Sequence, residues 1–377
     1  MKKRFACCLA LALLFALATP AFAANLDVNA KAVVLMEKTT GEVLYEENAH
    51  QQLEPASVTK VMTMLLIMEA LDGGVITKDT MIPVSATAAG MGGSQVYLKE
   101  GEEFPVNDML KAIAVASGND ASVAMAEYLA GSESSFVEKM NAKAAELGME
   151  DTVFQNCTGL PAEGHHTSAY DIALMSRELI LHHPDIRTYT TIWMDTIRDG
   201  AFQLANTNKL IRYYSGATGL KTGSTDSALY CLSATAEKEG MEMIAVVLGS
   251  PTSSDRFEAA KTLLNYGFSA YTLVTAAPSE PLVPVAVELG QLGSVQPVLS
   301  EEVRLLLAKE DAGKLTTTVD LLESVQAPVE QGQELGQLTI LVDGEERASV
   351  KLIAQEAVGR LSLLEVYRGL LSLLFCP

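Results

Sequence analysis

The residues able to do chemistry in this 377-residue chain fall into three short groups. The first is Ser57 and Lys60, within Glu54-Pro55-Ala56-Ser57-Val58-Thr59-Lys60. A serine hydroxyl is a poor nucleophile until a base takes its proton. A lysine can be that base only when neutral, and burial or neighbouring cations depress its pKa far enough. Residues three apart on a helix share a face, so the Lys60 amine can reach the Ser57 hydroxyl. The second group is Ser117-Gly118-Asn119. Its serine can relay a proton between a lysine and a leaving amine, and Asn119 can orient Lys60 or a substrate backbone. The third is Lys221-Thr222-Gly223, followed by Ser224. Lys221 and Thr222 can hold a substrate carboxylate by charge and hydroxyl. Gly223 lets a substrate backbone lie close against a strand. The N–H of Ser224 can join that of Ser57 as an oxyanion hole. Taken singly, a capped helix, an ordinary turn and a strand edge give the same three strings.

These groups need elements to hold them. Pro55 suits the entry to a helix, Ser57 falls in its first turn, and the apolar run Val61 to Leu71 continues it. The positive end of that helix offers free N–H groups near a developing oxyanion. Ahead of it, Val33–Met36 and Glu42–Tyr45 read as the arms of a β-hairpin with Thr39-Thr40-Gly41 at the turn. Ile76 to Leu98 is Gly-rich and mixed. Val106 to Leu129 reads as one helical run with small residues in its middle. Glu133–Leu147, closed by Gly148, and Ser168–His182 are further helices. Two strands surround the third group: Leu220 to Ser224 begins the first and Tyr230 to Ala236 continues the run, and Met241 to Leu248 is the next. Phe257–Gly267 is a helix that packs back on them. Strands first, helices in the middle and strands again predict an α+β unit whose first and last strands meet in one antiparallel sheet flanked by helices.

The texture changes near Ala277, where Pro278, Pro281 and Pro284 mark a boundary. Residues 277–357 read as a small all-β domain, with a turn-rich Ala327–Gly336 before the strand Leu338–Val342. Gly359 to Phe375 has helical period, with Arg360, Glu365, Arg368 and Ser372 on one side and leucines over most of the rest. That is an amphipathic helix suited to a membrane surface and too short and polar to span a bilayer. At the other end, residues 1–23 have the three parts of a secretory signal peptide: basic Lys2-Lys3-Arg4, an apolar Phe5–Ala18, and Ala21-Phe22-Ala23. The expected division is 1–23, 24–276, 277–357 and 358–377.

Composition removes several function classes. The formal net charge is −20 and no basic run follows the leader, which excludes a nucleic-acid partner. His50, His165, His166, His182 and His183 form no metal-binding pattern, and no metal is expected. Beyond the leader, Cys157, Cys231 and Cys376 remain. Cys157 and Cys231 are either two packed thiols, the favoured reading, or a disulfide.

Ser-x-x-Lys, then Ser-x-Asn, then Lys-Thr-Gly, in that order, is the set of the penicillin-binding proteins and serine β-lactamases. The chain resembles the D-alanyl-D-alanine carboxypeptidases, low-molecular-mass penicillin-binding proteins. Asn156–Leu160, Thr167–Asp171 and Asn206–Leu210 are also similar to that family, as are the β-domain and its tail. The resemblance implies a β-lactamase/transpeptidase-like catalytic fold and a serine carboxypeptidase with no cofactor. Ser57 would attack the bond between two D-alanines of a peptidoglycan stem peptide, and β-lactams would trap it. It also implies export to the outer face of the cytoplasmic membrane. His166 departs from the family, where a tyrosine is common. No arginine for the substrate carboxylate is evident, Arg212 and Lys209 being weak candidates. A class A β-lactamase would need a deacylating Glu between the second and third groups. Glu163, in Leu160–His165, does not sit in such a loop pattern. A non-catalytic sensor or scaffold fits poorly with an intact set of Ser57, Lys60, Ser117 and Lys221.

Overall fold

A computed structural model describes residues 26–368. The signal-peptide expectation for 1–23 lies outside them, as does the end of the tail. The first unit of the chain is built on a five-stranded antiparallel sheet. Its strands are β1 (Ala32–Glu37), β2 (Val43–Glu47), β3 (Ala217–Thr225), β4 (Leu229–Lys238) and β5 (Met241–Ser250). They lie in the order β2-β1-β5-β4-β3, so the first and last parts of the unit meet at the β1–β5 pair, as expected.

Strand side chains alternate between faces, and here both faces are covered. Val34 pairs with Val246, and both enter the larger core, with Ile244 and Leu248. Leu35 pairs with Ala245, and both enter the second core, with Val33, Met243 and Val247. β5 is therefore buried along its whole length, which is why it reads as an unbroken apolar run. Helix α1 (Lys60–Asp72) runs through the larger core and is apolar nearly all round. Around it lie α2 (Val106–Ala114), α3 (Asn119–Ala130), α4 (Glu133–Glu146) and α5 (Ala169–His182). Helix α6 (Ser253–Ala270) covers the opposite face through Phe257, Leu263 and Leu264.

The single helix expected over Val106–Leu129 is two helices. The chain breaks at residues 115–118, where Ser117 has a left-handed φ of 61° and the Gly118 N–H bonds back to Ala112 O. A non-glycine residue in that region carries strain, and tertiary contacts must hold it. The single run expected from Leu220 to Ala236 is instead the two arms of a hairpin, β3, which contains the third group, and β4, in antiparallel register. Cys157 and Cys231 are free and buried, as favoured above.

The following unit is all β. A four-stranded sheet of Pro297–Leu299, Glu345–Ala354, Glu334–Val342 and Leu315–Leu321 has its own apolar core. A three-stranded sheet of Ser294–Val295, Val285–Glu288 and Ser324–Gln326 contributes to another. Tyr271–Ala276, which follows α6, already pairs with Val303–Ala308 of this unit. The tail helix starts later than its period suggests. Arg360 bridges Gly290 in extended form, and helix is present over 363–368. A capping box explains the start: Ser362 Oγ accepts from the Glu365 N–H, and the Glu365 carboxylate accepts from the Ser362 N–H.

Candidate active site

Ser57 lies on a 3-10 turn, Ala56–Thr59, that leads directly into α1. In that geometry residues three apart eclipse. Lys60 Nζ accordingly stands 3.0 Å from Ser57 Oγ. Lys60 is fully buried, and its other partners are Asn119 Oδ1 at 2.6 Å and the Thr158 carbonyl oxygen at 2.6 Å. All three partners are neutral oxygens, so no hydrogen-bonded anion offsets desolvation. Burial pulls the lysine down to about 7, against smaller opposing influences from Cys157 and Asp120. Two of the partners are carbonyl-type oxygens, which can only accept. A neutral amine has two N–H bonds to give them. Its lone pair is then left facing the serine hydroxyl.

The break between α2 and α3 brings the second group to this amine. Asn119 is anchored at both ends, accepting from Lys60 through Oδ1 and donating from Nδ2 to Gly92 O at 2.7 Å. Its backbone N–H bonds Ser94 O. Asp120 ties the same loop by accepting from the N–H groups of Val96 and Leu98. Ser117 is buried, and its hydroxyl has no hydrogen-bond partner among the described residues. A buried hydroxyl left open is costly unless function needs it.

The third group lies along β3. Lys221 is buried, and burial, Lys60 and Arg256 together hold it well below the usual lysine value. Its Nζ donates to Thr222 O at 2.8 Å. Thr222 Oγ1 is 2.6 Å from Thr207 Oγ1. Ser224 is exposed on the strand. Gly223 serves a closer neighbour than the one expected. A Cβ there would stand 2.8 Å from Ser57 N and 2.9 Å from Pro55 O. The absent side chain makes room for the turn that carries Ser57, a requirement that stands beside the one expected for substrate.

Other parts of the site were not visible in the sequence. The Thr158 carbonyl belongs to a loop that Asn156 organises, its Oδ1 accepting from the N–H groups of Thr158 and Gly159. Gly159, at φ 83°, packs where any Cβ would overlap Ala56 O. Arg256 of α6 lies buried against β3 and β4, donating from Nη1 to Gly223 O at 3.0 Å and Cys231 O at 3.3 Å. Arg212 instead stacks on Trp193 and Tyr213 at the surface. Glu163 is exposed and holds no part of the site. Among the described residues, no cluster of three His, Cys, Asp or Glu side chains could hold a metal ion.

A serine hydroxyl 3.0 Å from the amine of a fully buried lysine, at the seam of an antiparallel sheet and a helical layer, is the arrangement of an acyl-enzyme-forming serine hydrolase of the penicillin-recognising class. The comparisons narrow that class. Residues 18–252 match the family model described as D-alanyl-D-alanine carboxypeptidase, peptidase S11. Residues 274–360 match the C-terminal domain of penicillin-binding protein 5. The chain is 46% identical over 332 residues to the D-alanyl-D-alanine carboxypeptidase DacF of Bacillus subtilis, covering 87% of this chain and 85% of that one. It is 34% identical to DacC of Escherichia coli, covering 92% and 90%. The solved structure of penicillin-binding protein 5 from Haemophilus influenzae superposes with a TM-score of 0.75 at 29% identity, covering 88% of this chain and 98% of that one. The chain belongs to the D-alanyl-D-alanine carboxypeptidase family, and it is a serine hydrolase of that activity.

Proposed function

We propose that Ser57 is the nucleophile of this carboxypeptidase and Lys60 its base. The observation that carries this is the lysine's setting. Its two carbonyl-type acceptors leave the lone pair for Ser57, and burial leaves a large neutral fraction near pH 7. Ser57 Oγ attacks the carbonyl between the two D-alanines of a stem peptide, and Lys60 takes the hydroxyl proton. The backbone N–H groups of Ser57 and Ser224 receive the oxyanion. The apposition of Gly223 to Ser57 N supports their pairing. The open hydroxyl of Ser117 passes the proton to the leaving amine, while Asn119 holds Lys60 and the substrate backbone. Lys221 and Thr222 bind the terminal carboxylate, and Gly223 keeps the strand against the turn. D-Alanine leaves, and water then hydrolyses the ester on Ser57. β-Lactams enter the same route and stay on the serine.

The test is D-alanine release from an acyl-Lys-D-Ala-D-Ala peptide by residues 24–377, beside Ser57→Ala. Release and penicillin labelling both vanish in the variant. Labelling that persists at another serine would remove the assignment.

The proposal extends to residues 1–23 as a leader, 24–276 as the catalytic unit, 277–357 as a β unit and 358–377 as a membrane-surface helix, which together place the enzyme outside the cytoplasmic membrane. The basic start, apolar run and small-residue site support the leader. Exposed Leu363, Leu364 and Tyr367 support the surface helix. No helix among the described residues is long and apolar enough to cross a membrane. Fractionation of cells with and without residues 359–377 tests the anchor. An unchanged membrane fraction would sink it.

A further inference from the structure

The loop 206–208 carries more than its place between secondary elements requires. Asn206 and Asn208 are both buried, and both side chains are spent on backbone. Asn206 Nδ2 donates to Ile192 O at 2.7 Å, and its Oδ1 accepts from the Asn208 N–H. Asn208 Nδ2 donates to Gly219 O at 2.8 Å, at the root of the strand bearing Lys221. Thr207 stands between them, exposed, with its hydroxyl 2.6 Å from that of Thr222. Its backbone N–H reaches Val115 O, two residues before Ser117. One residue therefore touches both the strand of the third group and the helix break of the second.

Each threonine hydroxyl has one proton to donate. At 2.6 Å one of the two must donate to the other. If Thr207 is the donor, the Thr222 proton is left free and the Thr222 oxygen is already polarised. That arrangement suits an anion, which can only accept, and bonds in such a chain strengthen one another. The opposite arrangement would turn the Thr222 proton away from any carboxylate beside Lys221. We propose that Thr207 is a specificity-positioning residue: by donating to Thr222 it aims that hydroxyl at the free carboxylate of the substrate's terminal D-alanine. The inference rests on the carboxylate-binding role given above to Lys221 and Thr222.

The experiment compares an acyl-Lys-D-Ala-D-Ala acid with its C-terminal methyl ester on the wild type, Thr207→Val and Thr207→Ser. The valine keeps the shape and removes the donor; the serine keeps the donor. The preference for acid over ester in kcat/KM falls about tenfold in Thr207→Val, chiefly through KM for the acid, and returns in Thr207→Ser. The exposed position makes an unchanged melting temperature the expected control. An unchanged acid-to-ester ratio in Thr207→Val, or equal losses on both substrates, would overturn the proposal while leaving the carboxypeptidase reading intact. A wild type that shows no preference for the acid would overturn both.

Discussion

Gly223 passes Ser57 so closely that a Cβ on the glycine would lie 2.8 Å from the serine's backbone nitrogen. The strand that carries Lys221 and the turn that carries Ser57 are thus one packed unit. Gly223→Ala forces them apart. Overpacking of this kind costs about 1–3 kcal/mol. Denaturant unfolding should report that loss, and acylation by a fluorescent penicillin should slow with it. A stable variant that acylates at the wild-type rate would mean that the turn yields freely.

Lys60 predicts a pH dependence of two kinds. Acylation needs the neutral amine, so its rate rises through pH about 7 and levels off above. The unfolded lysine titrates near 10.5, so between about 7 and 10.5 the unfolded chain binds the extra proton and stability rises with pH. Lys60→Met is therefore stabilised relative to the wild type at pH 6, and that advantage shrinks towards pH 10. Stopped-flow acylation and denaturation at several pH values measure both. A flat acylation profile from pH 6 to 9 would remove Lys60 as the base.

Ser117 separates stability from activity. Its hydroxyl is buried and open, so Ser117→Ala removes an unsatisfied group and leaves stability equal or improved. D-Alanine release falls by about 10²-fold, the lower end for a lost proton-transfer group. Equal release by the variant would assign the relay to another group.

Arg256 holds the carbonyls of Gly223 and Cys231 from beneath the sheet. Arg256→Met leaves those oxygens without their donor, at about 1–3 kcal/mol. Acylation slows as the strand loosens. Thermal unfolding and penicillin labelling read the two effects. Full labelling in a destabilised variant would confine Arg256 to a structural role.

Much of this was legible in the chain. The two-sided burial of β5 follows from Met241–Leu248, and the Ser57–Lys60 pair follows from spacing on a helical turn. What escaped is instructive. Val106–Leu129 is helix-forming on either side of Ser117-Gly118-Asn119, whose turn signal is outweighed by the flanking period, and contacts to loops around 92–98 fix the break there. The Thr158 carbonyl is backbone and has no signature in side-chain type. Arg256 stands one residue ahead of the helix read over Phe257–Gly267, and only the sheet beneath it reveals its partners. Ser362 and Glu365 did carry a capping box, so the start of the tail helix was available and was masked by the helical period on either side.

The β1–β5 pair joins Ala32–Glu37 to Met241–Ser250 across the intervening residues 38–240. Ser57, Lys60, Ser117, Asn119 and Lys221–Ser224 all lie within that span and take their places against this sheet or the helices packed on it. A chain emerging from its N-terminus has Ser57 early and the central partner strand, β5, as the last of this sheet. Pairing of such long range is slow to form. A chain that stops short of Met241 holds Ser57, Lys60 and Lys221 yet lacks the strand that joins β1 to β4, so the site has no complete frame until β5 is in place.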